Sequence, residues 1–188
     1  MTTTEQPPVM LLFLCGSLRT ASINMALLRT ALRLLPAITD ATVFTGMADL
    51  PHFNPDDDHD PLPAAVVGLR DSLRAADAVL ICAPEYAGGL PGSFKNLLDW
   101  TVGGQEVESS VGWINVSTAA TGARGTHESL RAVLGYTGAH VVDSACRNIP
   151  VRRDMVSSMG DITDAAVRGQ VSDVLVELVR HATAGASA

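Results

Sequence analysis

Two uninterrupted apolar runs of strand length, Val9–Cys15 (VMLLFLC) and Asp77–Ala83 (DAVLICA, apolar after its first residue), constrain this chain more than any other feature. A strand with one face in water alternates polar and apolar residues, so a strand that is apolar throughout must be covered on both sides. Helices supply that cover when the strands are parallel, because parallel neighbours need crossover connections.

The rest of the chain provides the helices. Apolar residues at helical spacing run over Ile23–Leu35, closed by Pro36, and again over about Pro63–Ala76, Gly92–Thr101, Thr126–Leu134 and Ile162–His181. Short strands are expected between them at Ala41–Thr45, Val111–Ser117 and His140–Ala145. The alternation predicts an α/β three-layer sandwich around a five-stranded parallel sheet with helices on both faces. Right-handed crossovers favour the flavodoxin-like strand order 2-1-3-4-5, with the Rossmann order as competitor. A single domain over residues 9–182 is expected, with disordered tails at 1–8 and 183–188. Ligands of open α/β sheets sit beyond the carboxyl ends of the strands, which directs attention to the loops after strands 1, 3 and 4.

Composition removes several function classes. The 188 residues are 47% hydrophobic and 18% charged, which excludes bulk disorder. With 13 Lys and Arg against 20 Asp and Glu, the net charge of −7 argues against nucleic acid or an anionic membrane surface as partner. No apolar stretch approaches the ~20 residues of a membrane span, and no basic region precedes the first apolar run, so a soluble, cytoplasmic protein is expected. Cys15, Cys82 and Cys146 lie too far apart in sequence for a zinc knuckle or a redox CxxC and read as reduced, buried thiols. Between His52 and Asp60 the consecutive acids splay apart in a loop, and no metal site is expected.

The first strand runs straight into Gly16-Ser17-Leu18-Arg19-Thr20-Ala21-Ser22-Ile23-Asn24. A strand-to-helix turn presents unpaired backbone N–H groups at the positive end of a helix dipole. Ser17, Thr20, Ser22 and Asn24 add neutral donors and Arg19 a planar cationic fork, a set suited to one terminal phosphate monoester. The alternative is that Ser and Asn only cap the helix while Arg19 is solvated. A Walker loop and a GxGxxG signature are both absent after this strand, and the three residues between Cys15 and Arg19 are too few for a Cys-nucleophile phosphatase loop.

The third strand ends in Ala83-Pro84-Glu85-Tyr86-Ala87-Gly88-Gly89-Leu90-Pro91-Gly92. Pro84 stiffens the exit, the glycines let backbone approach a flat ligand, and Tyr86 offers an aromatic wall. Backbone N–H groups from Glu85 to Gly88 are placed to donate to the carbonyl edge of a heterocycle and stabilise negative charge there. Phe94, Leu97, Leu98 and Trp100, on the following helix, read as ordinary core.

Taken together, GSLRTASIN and PEYAGGLPGSFKNLLDW resemble the two motifs of the NADPH-dependent FMN reductase family of flavodoxin-like proteins, which includes azo, quinone and chromate reductases. The resemblance covers Val9 to about Pro150. It implies FMN as cofactor, with the phosphate at Ser17, Arg19, Ser22 and Asn24 and the isoalloxazine ring against Pro84, Glu85, Tyr86 and Gly88. After strand 4, Ser117, Gly122 and Gly125 match the family's Gly-rich loop in kind, so Ser117 and Gly122 join the expected cofactor residues. The stretch Leu50–Asp56 is similar to a family loop lying near the cofactor or the subunit interface, and His127 falls within reach of the ring edge with no role assigned.

The activity implied is ping-pong transfer of hydride from NADPH or NADH to FMN and on to a small acceptor, with no catalytic acid or base from the protein. The resemblance also implies a homodimer or homotetramer, with the helix bearing Trp100 as candidate interface. Two other classes stay open: a flavodoxin-like electron carrier, for which 4% aromatic residues give sparse ring cover, and a flavin-free binding module on the same fold.

Overall fold

The structure is a computed structural model that describes residues 7–102 and 109–185. Its elements, in chain order, are β1 (Val9–Cys15), α1 (Ile23–Leu32), β2 (Thr39–Phe44), α2 (Ala64–Arg74), β3 (Ala78–Cys82), α3 (Gly92–Val102), β4 (Ser110–Asn115), α4 (Arg124–Leu134), β5 (His140–Asn148) and α5 (Ala165–Gly185). All strand pairings are parallel and the order is β2-β1-β3-β4-β5.

The apolar runs are explained by which way their side chains point. Leu11, Phe13 and Cys15 of β1, with Ala78, Leu80 and Cys82 of β3, face a core closed by Leu27 and Leu28 of α1 and by Val171, Leu175 and Leu178 of α5. Leu12, Leu14, Val79 and Ile81 face the opposite core, closed by Leu69 and Leu73 of α2, Phe94, Leu97 and Trp100 of α3, and Leu130 of α4. Side chains alternate across a strand, so filling both faces leaves no polar position in the run.

The outer elements depart from the periodicity at their ends. The fifth strand extends to Asn148, three residues past the expected Ala145, because its pairing with β4 breaks register between Val111 and Trp113 and resumes beyond the irregularity. Gly112 permits this: a Cβ there would lie 2.8 Å from the Cβ of Ala145 and 2.9 Å from its carbonyl oxygen. The closing helix starts at Ala165 rather than Ile162 and continues to Gly185, so 183–185, expected in the tail, are helical; 1–6 and 186–188 lie outside the described residues.

Trp100 is fully buried within the fold. Its indole N–H donates to the Pro51 carbonyl at 2.9 Å, and the Phe53 ring meets it edge-on at 5.0 Å. The Leu50–Asp56 stretch therefore packs over α3. Buried Arg70 ties the same region down, donating to the Trp100 carbonyl at 3.1 Å and to Asp58 at 2.8 Å.

On the other side of that core, the Trp113 indole N–H donates to Nδ1 of His127 at 3.3 Å, while the Arg131 guanidinium lies 5.2 Å from the centre of the Trp113 ring. This bond needs an unprotonated Nδ1. Burial lowers the His127 pKa, Glu85 opposes the shift and Arg131 reinforces it. A depressed histidine pKa means that the unfolded chain binds the proton first, so this contribution to stability is present above about pH 6.5 and is lost as pH falls through that value. Urea titrations at about pH 7.5 and pH 5.5 are expected to show a smaller acid-induced loss of stability in His127→Gln than in the parent protein.

Candidate functional site

The loop after β1 is pressed onto the end of β3. A Cβ on Gly16 would fall 2.5 Å from the Cβ of Ala83 and 2.8 Å from its Cα, so only glycine allows the approach. The Gly16 N–H donates to the Cys82 carbonyl at 2.9 Å. Ser17 Oγ accepts from the Arg19 N–H at 3.3 Å, and Ser22 Oγ accepts from the Asn24 N–H at 3.1 Å, which makes Ser22 the N-cap of α1. Capping occupies a lone pair of Ser22 and leaves its hydroxyl proton to donate outward.

Asn24 is buried and turned inward. Its amide reaches Ser22 Oγ at 3.4 Å and its carbonyl accepts from the Cys82 thiol at 3.3 Å. Burial raises the pKa of Cys15 and of Cys82, so both are neutral thiols beneath the loop. The backbone N–H groups of Ser17, Leu18, Thr20 and Ala21 have no acceptor among the described residues.

The loop after β3 closes as a tight turn, with N–H to carbonyl bonds between Tyr86 and Gly89 at 3.0 and 3.1 Å and Ala87 and Gly88 both at positive φ, 52° and 80°. The Tyr86 N–H is therefore committed within the turn and is not the free donor that the sequence placed there. Glu85 Oε2 accepts from the Thr126 N–H at 3.1 Å, at the start of α4. The Thr126 hydroxyl faces the Pro84 and Gly89 carbonyls at 3.2 and 3.0 Å. A Cβ on Gly125 would lie 2.0 Å from the Gly88 carbonyl oxygen, so this junction also admits no side chain.

The loop after β4 is organised by Asn115, which is buried. Its Oδ1 accepts from the Ser117 N–H at 2.8 Å and its Nδ2 donates to the Gly122 carbonyl. Gly122 and Ala123 both have positive φ and turn the chain into α4.

These loops surround a cleft of about 340 Å³ at the carboxyl ends of the strands. Of the residues singled out from sequence, Ser17, Arg19, Ser22, Asn24, Pro84, Glu85, Tyr86 and Ser117 line it. Gly88 and Gly122 do not; they shape the turns behind it. The cleft is also lined by Asn115, Val151 and Arg153, which the sequence reading missed. Arg153 follows β5, and its guanidinium donates to the Ala21 carbonyl at 3.0 Å. Arg19 and Arg153 have no carboxylate partner among the described residues, so two guanidinium groups remain to meet an anion at this end of the cleft.

Comparison with known proteins agrees with the geometry. The family model for NADPH-dependent FMN reductase matches residues 9–152. An NAD(P)H-dependent FMN reductase of Pseudomonas aeruginosa is 28% identical over 173 residues, 90% of this chain and 93% of that protein. The quinone reductase of Escherichia coli is 38% identical over 88 residues, 46% of this chain and 47% of that protein, so this chain aligns with about half its length. Among solved structures, the flavoenzyme NAD(P)H:(acceptor) oxidoreductase FerB of Paracoccus denitrificans superposes with a TM-score of 0.78 at 25% identity, covering 92% of this chain and 98% of its own. With most of the sequence inside the family match and the strand order that its two loop motifs imply, this chain belongs to the NADPH-dependent FMN reductase family.

Proposed function

We propose that the protein is an FMN-dependent NAD(P)H oxidoreductase whose cofactor lies in the cleft between the loops after β1, β3 and β4. The observation that carries this reading is the donor set of the first loop. Hydroxyl groups of Ser17 and Ser22, backbone N–H groups without acceptors and the Arg19 and Arg153 guanidinium groups line one end of the cleft, a combination that suits a phosphomonoester dianion. The opposite wall, Pro84 to Tyr86, suits a flat ring, with the Tyr86 side chain 48% exposed beside it.

The chemistry supplied by bound FMN is hydride transfer in two half-reactions, from NADPH or NADH and then to a quinone, flavin, azo compound or metal ion, in ping-pong order. The chain's own residues bind and orient. Arg19 and Arg153 hold the phosphate, Pro84 removes an N–H from the loop that faces the ring, and Thr126 pins Glu85 to the start of α4. With that carboxylate engaged and His127 turned onto Trp113, no side chain is assigned a proton-transfer role. An open cleft with Tyr86 as its aromatic lining supports turnover of two substrates over electron carriage.

This reading takes the protein to be cytoplasmic and a homodimer or homotetramer. The free thiols Cys15, Cys82 and Cys146 support the first, and exposed Val102, ending α3, and Tyr136, just past α4, support the second. Among the described residues no helix is long and apolar enough to cross a membrane.

Purified protein given FMN is expected to hold it through gel filtration and to bleach its visible absorbance with NADPH or NADH, without a partner reductase. Bound FMN that neither nicotinamide bleaches would leave an electron carrier, and absent uptake would leave a binding module. Arg19→Gln is expected to weaken FMN binding roughly tenfold in a fluorescence titration, the loss of one charge-assisted contact. Gly125→Ala is expected to cost about 1–3 kcal/mol in stability and to lower FMN affinity, because the new methyl group must displace the Gly88 carbonyl. Gly169→Ala, with open space around that position in α5, serves as the control and is expected to be neutral or stabilising.

A further inference from the structure

Behind the first loop lies a second cavity of about 250 Å³, which shares Ala21, Ser22 and Arg153 with the cleft and is otherwise separate from it. It lies between α1 and the segment that follows β5. Arg29 and Arg153 line it, together with Thr20, Ser157 and Ser158, and no carboxylate is among its lining residues.

That absence is unexpected in a chain with 20 acids and 13 bases, and its origin is visible nearby. Of the three acids of the adjoining segment, two are held by other arginines, Asp154 by Arg152 at 2.9 Å and Asp161 by Arg33 at 2.8 Å, and the third, Asp164, accepts from the Val167 N–H at 3.0 Å at the start of α5. Arg29 and Arg153 consequently have no carboxylate partner among the described residues. Two guanidinium groups without a carboxylate partner on one cavity make its local potential favourable to an anion.

The far wall is held in place. The Ser157 N–H donates to the Asp161 carbonyl at 2.9 Å, and Ser157 Oγ accepts from the Asp161 N–H at 3.3 Å. Gly160, at φ +82°, closes the turn so near to Arg29 that a Cβ there would lie 3.1 Å from the guanidinium. Met25 and Met159, the latter 76% exposed, add thioether surface beside the cationic groups. Methionine makes favourable contact with aromatic rings, so cation and thioether together match an anion attached to a flat base.

We infer that this cavity is a second phosphomonoester site, taking a nucleotide's phosphate between Arg29 and Arg153 with its base against Met25 and Met159. The phosphate has two possible sources, the 2′-phosphate of NADPH or a separate mononucleotide. Arg153 lines both cavities, so the inference rests on the proposed reading in that one guanidinium faces both phosphates, whereas Arg29 lines the second cavity alone and reads it separately.

The test is calorimetric titration of the FMN-treated protein with adenosine 2′-monophosphate, for the parent chain, Arg29→Gln and Ser158→Asp. Both positions are exposed, and the second variant places a carboxylate in the cavity. Binding to the parent that weakens roughly tenfold or more in each variant, with FMN content unchanged, supports the site. A KM for NADPH raised roughly tenfold in Arg29→Gln, with that for NADH unchanged, identifies the 2′-phosphate as the source. Unchanged KM for both nicotinamides, with the calorimetric loss intact, identifies a separate mononucleotide. No binding by the parent, or binding undiminished in either variant, overturns the inference. The calorimetric result reads the second cavity whether or not the protein takes up FMN.

Discussion

Burying both faces of two adjacent strands is the constraint from which the rest of this molecule follows. Because β1 and β3 lie side by side and are apolar on each face, helices must cover both sides of the sheet, and the chain must cross over between strands. The connection leaving β1 runs through α1 on one face towards β2, whereas those leaving β3 and β4 run through α3 and α4 on the other. Loops that depart in opposite directions leave a crevice between them, and that crevice is the cleft. The site is thus a by-product of core formation before any of its side chains is considered.

Its precision has a different origin. The strained backbone at Ala87 and Ala123, each at φ 52°, lies in the two loops that meet at the start of α4. A non-glycine residue adopts that conformation only when its surroundings over-determine it. Here Glu85 and Thr126 do so across the junction, Asn115 does so within the loop after β4, and the glycine at 125 lets the two backbones touch. The polar groups that look available for ligand binding in sequence are in part spent on this bracing: Asn24 on Ser22 and Cys82, Glu85 on Thr126, the Tyr86 N–H on Gly89. What remains for a ligand is hydroxyl protons, uncommitted backbone N–H groups and the arginines.

How much of this was legible in sequence follows from the range of the interactions involved. Strand order and both principal loops were legible because they depend on local periodicity and on short motifs. The end of β5 was not, since its extra length comes from an irregular register against β4 that only Gly112 permits. Arg153 was not, because it reaches Ala21 from the far end of the domain and belongs to no motif. Asn115 does carry a signal in the sequence: an amide inside the apolar strand Val111–Ser117 must find buried partners, and organising a loop from within is one way to find them. Gly88 and Gly122 do not line the cleft, and their positive φ angles shape turns in the loops that do.

Charge placement ties these observations to function. A net charge of −7 opposes the approach of any anion, and nucleotides are anions. Screening at physiological salt confines that opposition to roughly 8 Å, so what an incoming phosphate meets is set by the charges nearest to it. Around the first loop those charges are Arg19, Arg29 and Arg153, while Asp154 and Asp161 are neutralised by Arg152 and Arg33. The exposed pair Arg152–Asp154 adds little to stability by itself, while in the second pair an exposed Arg33 meets a buried Asp161. Their effect is to keep two carboxylates away from the guanidinium groups that face the cavities, so that an acidic surface retains one region where a phosphate is attracted.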